Sequence, residues 1–178
     1  MATHASADAV DDVRLRKLRG VDGKAHSLAA LAGERATVLL FIATNCPTAR
    51  AYGERLRVLD ERYRGRGVQF VAVNSNNPYL SPSDTYDAML QRAPLLGFDF
   101  PYVKDQDGTV ARYVGAVCTP HAFLLDANSR VVYDGRIDDS RLGNNIRTSD
   151  LDDAIAAVLR EEPVAVAHTE PFGCAIVW

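Results

Sequence analysis

Two stretches of the chain are almost continuously apolar, and much of the remainder alternates or repeats with a helical period. Thr37-Val38-Leu39-Leu40-Phe41-Ile42-Ala43 and Val68 to Val73 have no polar face, as expected of central parallel strands covered by helices on both sides. Between them Tyr52, Leu56, Leu59 and Tyr63 form one apolar stripe on a helix from Thr48 to Tyr63. Arg50, Arg57, Glu61 and Arg64 fall on its solvated side, and Gly65 and Gly67 close it. Strand, helix and strand predict one right-handed parallel unit whose C-terminal edge carries the chemistry.

Around this unit the signals are shorter. Val13 to Leu18 alternates like a half-exposed strand and is broken by Gly20 to Gly23. The polar loop Asn74-Ser75-Asn76-Asn77-Pro78 precedes a helix predicted over Ser83 to Leu95, with Ser81 or Ser83 as its N-cap. Pro101 to Lys104 reads as a short extended piece, and Val110 and Tyr113 as part of a short helix. His121 to Leu125 and Arg130 to Tyr133, joined by Asp126-Ala127-Asn128-Ser129, predict an antiparallel hairpin. A last helix has Asp150 as N-cap and Leu151, Ile155 and Val158 as its stripe. The expected architecture is α/β: a central mixed sheet flanked by helices, with an N-terminal strand extension. Residues 1–12 read as a loose leader, 13–162 as one domain and 163–178 as a C-terminal tail.

Composition narrows the function classes. The chain has 178 residues, 47% hydrophobic, with 20 basic and 23 acidic side chains and a net charge of −3, enough apolar material for a real core and no basic face for nucleic acid. Its longest apolar run is far short of the roughly 20 residues that span a bilayer. The expectation is a cytoplasmic protein with no nucleic-acid or membrane partner. Three cysteines, Cys46, Cys118 and Cys174, are too few for a disulfide scaffold and too scattered for a zinc ligand pair. No metal or cofactor is expected, and the question becomes whether a thiol is reactive.

Cys46 has a physical reason to be. It falls between a buried strand and the first turn of the Tyr52 helix, where unpaired N–H groups and the positive helix end stabilise a thiolate. Pro47 suits the first helical position, since its missing N–H would be unpaired there anyway. The plainer alternative is a small apolar residue closing a strand.

Thr44-Asn45-Cys46-Pro47-Thr48, Val117-Cys118-Thr119-Pro120 and Tyr133-Asp134-Gly135-Arg136-Ile137-Asp138-Asp139 together resemble the peroxiredoxin-like redoxin branch of the thioredoxin superfamily, often grouped with alkyl hydroperoxide reductases and thiol-specific antioxidants. The likeness covers roughly Leu15 to Leu159, and Gly173-Cys174-Ala175-Ile176-Val177-Trp178 resembles the Gly-Cys ending of that branch. The resemblance implies a thioredoxin-like fold with a cis bond at Thr119-Pro120, opposite Cys46. An ordinary trans proline opening an edge strand is the other reading. Departures matter too. The second cysteine of a dithiol motif is replaced by Ala49, so Cys46 has no local disulfide partner. The Pro and the Thr or Ser that precede a peroxidatic cysteine are Leu39 and Ala43 here, leaving Thr44 or Thr48 as substitutes for the missing hydroxyl.

Hairpin geometry returns Arg136 to Asp139 toward the Cys46 edge. Arg136 is thus a candidate for holding the thiolate, with a surface ion-pair cluster of Arg136, Asp138, Asp139 and Arg141 as the alternative. His121 faces either core or pocket; His4, His26 and His168 receive no role. The leading expectation is peroxide reduction through Cys46, with Cys118 or Cys174 as resolving thiol and Thr48, Thr119, Pro120 and Arg136 in the site. The alternative reading of Cys174 is a bystander on a tail pinned by Ile176 and Trp178. A thioredoxin-like or low-molecular-weight thiol would be the reductant, and a homodimer is possible. Thiol-disulfide exchange is the second reading, and a copper site of Cys46, Cys118 and His121 ranks below both.

Overall fold

The computed structural model describes residues 12–178. The predicted leader therefore lies almost wholly outside the described residues. Ala36–Phe41 (β3) is buried at every position and is the centre of the sheet. It pairs in parallel with Val68–Asn74 (β4), placing Leu39 beside Val71, and antiparallel with His121–Asp126 (β7), placing Leu39 beside Phe123. With Leu18–Gly20 (β1), Ala25–His26 (β2), Tyr102–Lys104 (β5) and Val131–Gly135 (β8), the sheet order is β2-β1-β5-β4-β3-β7-β8.

The period of two along β3 explains why its sequence is apolar throughout. Val38 and Leu40, with Phe70, Ala72 and Leu124, face the helices Pro47–Tyr63 (α1) and Asp150–Leu159 (α4) through Tyr52, Leu56, Leu151 and Ile155. Leu39 and Phe41, with Val71, Val73 and Phe123, face the other way. There they meet Val110 and Ala111 of the helix Thr109–Val114 (α3), and Ile176 of the C-terminal tail. The tail thus completes one of the two cores. Truncating a fully buried α1 residue such as Leu56 to alanine should cost about 2–5 kcal/mol.

Several short elements differ from expectation. Residues 12–15 are helical and the first strand begins only at Leu18; over one turn, Val13 is buried just as it would be in an alternating strand, so the pattern could not separate the two. The helix predicted over Ser83 to Leu95 is broken into 3-10 turns at Pro82–Asp84 and Ala93–Leu95 around Tyr86–Arg92 (α2). Its cap is Thr85, whose hydroxyl accepts from the Ala88 N–H at 3.3 Å, while the Ser81 hydroxyl is engaged by the buried Asp84 carboxylate. α4 is preceded by Ser149 as N-cap, one residue before the expected Asp150.

Candidate active site

Cys46 is the N-cap residue of α1, in extended conformation, with Pro47 opening the helix. Only 1% of it is exposed. Burial pushes its thiol up, but hydrogen bonds from the Cys174 thiol, the Ala49 backbone N–H, the Thr119 side chain and the Cys174 backbone N–H together hold it below the ordinary thiol range. In its protonated form the thiol donates to the Thr119 carbonyl at 3.0 Å.

The loop before Cys46 is fixed by a buried polar web. The Asp84 carboxylate, 2% exposed, accepts from the Thr44 N–H at 2.9 Å, the Asn74 amide at 2.7 Å, the Asn76 amide at 2.8 Å and the Ser81 hydroxyl at 2.6 Å. Burial pushes this carboxyl up, yet the donors from Asn76, Ser81, Asn74 and Thr44 outweigh it and leave it below its usual value. Lys104 donates to Asn74 Oδ1 at 2.8 Å and to the Asn76 carbonyl at 2.6 Å. Burial lowers it to about 8, against the pull of Asp84 and Asp105. The Thr44 hydroxyl is engaged by the Ser83 carbonyl and Asp84, so it belongs to this web. Thr48 is buried in the first turn of α1.

Opposite the thiol stands the bond Thr119-Pro120, which is cis. Cys118–Thr119 (β6) presents its edge there, and Cys174–Ala175 (β9) pairs with it antiparallel, Thr119 opposite Cys174. This pairing brings the Cys174 sulfur to 2.7 Å from that of Cys46. The tail is anchored on both sides of the contact. Downstream, the Ile176 N–H donates to the Val117 carbonyl at 3.0 Å and the Val177 N–H to Asn76 Oδ1 at 2.9 Å. Upstream, Phe172 packs on Tyr52 with the Arg141 guanidinium 5.3 Å over its ring.

The predicted residues therefore separate. Cys46, Thr119, Pro120 and Cys174 meet. Cys118 is close by in the same strand, but its thiol donates to the Pro120 carbonyl at 3.7 Å; burial, then the Cys46 and Glu170 charges, push it up to about 11. Cys174 is likewise pushed up to about 11 by burial and by Cys46, with Arg141 pulling it the other way. Arg136 is held by Asp150 at 2.7 Å and by the Thr148 hydroxyl at 3.4 Å. Its place in the fold is an ion pair at the start of α4. His121 is 3% exposed, packed tilted against the Phe123 ring at 4.3 Å, and pushed down to about 4 by burial. Among the described residues no group of three His, Cys, Asp or Glu side chains is placed to hold a metal ion, so the copper arrangement of Cys46, Cys118 and His121 is not assembled. Asp84 and Phe172 were not singled out in the sequence; Asn76 was named only within the polar run Asn74 to Asn77 at the carboxyl edge of a buried strand, and Arg141 only as a member of a surface ion-pair cluster.

The redoxin family profile matches residues 5–155. The chain belongs to the redoxin family. A comparison with curated proteins gave no match. Among solved structures, this redoxin is similar to an uncharacterized conserved protein from Geobacillus kaustophilus, with 35% identity and a TM-score of 0.83, covering 91% of this chain and 87% of that one. It shares its fold with the bacterioferritin comigratory protein of Xanthomonas campestris, studied for alkyl peroxide reduction, at 20% identity and a TM-score of 0.61, covering 84% and 93%. It also shares it with dsbF of Mycobacterium tuberculosis, at 22% identity and a TM-score of 0.58, covering 73% and 89%. Membership of the redoxin family supports thiol-dependent redox chemistry as the general function, and the shared fold is the one seen in the bacterioferritin comigratory protein and dsbF structures. No helix among the described residues is long and apolar enough to cross a membrane.

Proposed function

We propose that this redoxin reduces peroxides with Cys46 as the attacking thiolate and Cys174 as the resolving thiol. The observation that carries the reading is the 2.7 Å separation of the two sulfurs beside the cis-proline. Cys46 thiolate attacks one peroxide oxygen, the O–O bond breaks, and the alcohol or water leaves as Cys46 becomes a sulfenic acid. Cys174 then attacks that sulfur, expels water and forms the Cys46–Cys174 disulfide. A thioredoxin-like or low-molecular-weight dithiol reduces the disulfide and is itself oxidised. A reducing compartment such as the cytosol suits a chain whose three cysteines are too few and too odd in number for a disulfide scaffold. The geometry supports Cys174 over Cys118 because Cys174 touches Cys46 while Cys118 is bonded to the Pro120 carbonyl.

A second reading, exchange with protein or small disulfides, is favoured by a specific feature. Cys174 supplies in three dimensions the partner thiol that Ala49 denies Cys46 in sequence, which makes a dithiol pair without a peroxide step. One experiment separates the two: consumption of hydrogen peroxide and reduction of a protein disulfide are followed in parallel for the parent and Cys46→Ser, with a dithiol reductant present. Peroxide turnover lost in Cys46→Ser supports the peroxidase. Turnover of the disulfide alone supports exchange, and a Cys46→Ser variant as active as the parent in both would overturn both.

A further inference from the structure

The way β9 is seated says what else fits there. β6 and β9 are only two residues long each, yet the fit around Cys174 is exacting. A Cβ on Gly173 would lie 2.0 Å from the Thr119 carbonyl oxygen, 2.6 Å from its carbon and 3.0 Å from the Pro120 nitrogen. All three are backbone atoms of the cis-proline turn and cannot swing aside. The position before the cysteine therefore admits glycine alone. The flanking positions are also selective: Phe172 rests on Tyr52 beneath Arg141, and Ile176, 5% exposed, enters the core shared by Leu39 and Phe41. Extended pairing on a strand edge gives affinity through the backbone and selectivity through side-chain pockets.

We propose that the Cys118–Thr119 edge is a recognition site for an extended glycine–cysteine segment of a polypeptide redox partner, and that the chain's own Phe172 to Ile176 segment is the resident competitor for it. The partner presents an aromatic residue two positions before its cysteine, glycine immediately before it and an aliphatic residue two positions after. The tail holds the edge by being tethered, which gives it a high effective concentration. Because Cys46 is 1% exposed beneath it, a partner reaches Cys46 only when the tail lifts. The inference rests on Cys46 being the reactive thiol.

The test uses the full chain with Cys174→Ser, which leaves Cys46 to react without a resolving thiol. The probe is the heptapeptide Pro-Phe-Gly-Cys-Ala-Ile-Val, copied from residues 171–177, carrying a thionitrobenzoate disulfide on its cysteine, and a twin with alanine in place of glycine. Cys46 thiolate attacks the peptide sulfur, a new Cys46–peptide disulfide forms, the old one breaks and coloured thionitrobenzoate leaves with the electron pair. Gly173→Val is added to lift the tail by the backbone clash. As a separate variant, Val177→Pro lifts it by removing the N–H that Asn76 accepts, so one can fail to fold without ending the test. The glycine peptide should react about tenfold faster once the tail is lifted, and about tenfold faster than its alanine twin. Equal rates for the two peptides, or no acceleration in a folded tail variant, would overturn the proposal. Cys46 failing to react with either peptide or with peroxide in every variant would instead overturn the reading of Cys46 itself.

Discussion

The sulfurs of Cys46 and Cys174 stand 2.7 Å apart although 128 positions separate them in the chain. The contact does not depend on the cysteines finding each other, because the tail is fixed by Thr119 pairing opposite Cys174 itself and by Val117, Asn76 and Ile176 after it. A sulfenic acid formed on Cys46 would meet a positioned nucleophile at once.

The two candidate resolvers should therefore respond differently to mutation. After one equivalent of hydrogen peroxide, Cys118→Ser should form the intramolecular disulfide nearly as fast as the parent. Cys174→Ser should form it roughly a hundredfold more slowly, since an encounter replaces a preset contact. Intact mass distinguishes the outcomes, loss of two hydrogens against gain of one oxygen. A Cys174→Ser protein that still closes a Cys46–Cys118 bond at the parent rate would reassign the resolver.

Asp84 is the acceptor on which the loop before Cys46 hangs. Replacing it with alanine leaves the buried Asn74 and Asn76 amides, the Ser81 hydroxyl and the Thr44 N–H without their carboxylate. It also strips Lys104 of a nearby opposite charge. Losing one member of a buried charged network costs about 3–5 kcal/mol. Urea unfolding should register that loss for Asp84→Ala; a change below about 1 kcal/mol would mean that water replaces the carboxylate freely.

The contrast between these two features explains what the sequence made readable. Cys46 was found because strand, thiol, proline and helical stripe are consecutive, and a local pattern records a local cause. The central strands and α1 were legible for the same reason, since a buried face imposes its period on adjacent residues. Asp84 looks like any loop aspartate, and its burial follows from Asn74 at the end of one strand, Asn76 in the loop after it and Lys104 on a neighbouring strand meeting there. The seat of Cys174 was open in the same way: its segment has no period, and two of its anchors are backbone groups of Val117 and Asn77, which carry no side-chain signature. Arg136 was placed correctly at the end of the returning hairpin strand, but Asp150 competes for its guanidinium at 2.7 Å, a contact that spacing does not reveal.

Gly135 is a second point where the tail depends on a missing side chain. Its φ is +145°, and an added Cβ would lie 2.2 Å from the Thr169 hydroxyl and 2.3 Å from its carbonyl oxygen. Thr169 in turn shares a 2.6 Å hydrogen bond with the Tyr133 hydroxyl and accepts from the Arg136 N–H at 3.1 Å. Gly135→Ala should cost about 1–3 kcal/mol in strain and lost contacts. It should also speed amide hydrogen exchange at Thr169, whose N–H donates to the Asp134 carbonyl at 3.0 Å. Unchanged exchange there would mean that the tail is held without this anchor.

His121 should make the fold acid-sensitive in a defined window. Its Nε2 is buried and 3.9 Å from the Asp134 carboxylate, beyond hydrogen-bond reach, while Asp134 is engaged by His168 at 2.7 Å. Burial lowers its folded value from 6.5 to about 4. Between these values the unfolded chain binds the extra proton, so stability is full above pH 6.5 and is lost as pH falls toward 4. By pH 4.5 the loss attributable to this ring is about 2 kcal/mol. His121→Asn cannot take up that proton, and pH effects common to parent and variant cancel in the difference. Unfolding free energies of parent and variant at pH 7 and pH 4.5 should therefore converge by that amount at the lower pH. Parallel curves would show that the imidazole finds a proton-accepting partner in the folded state.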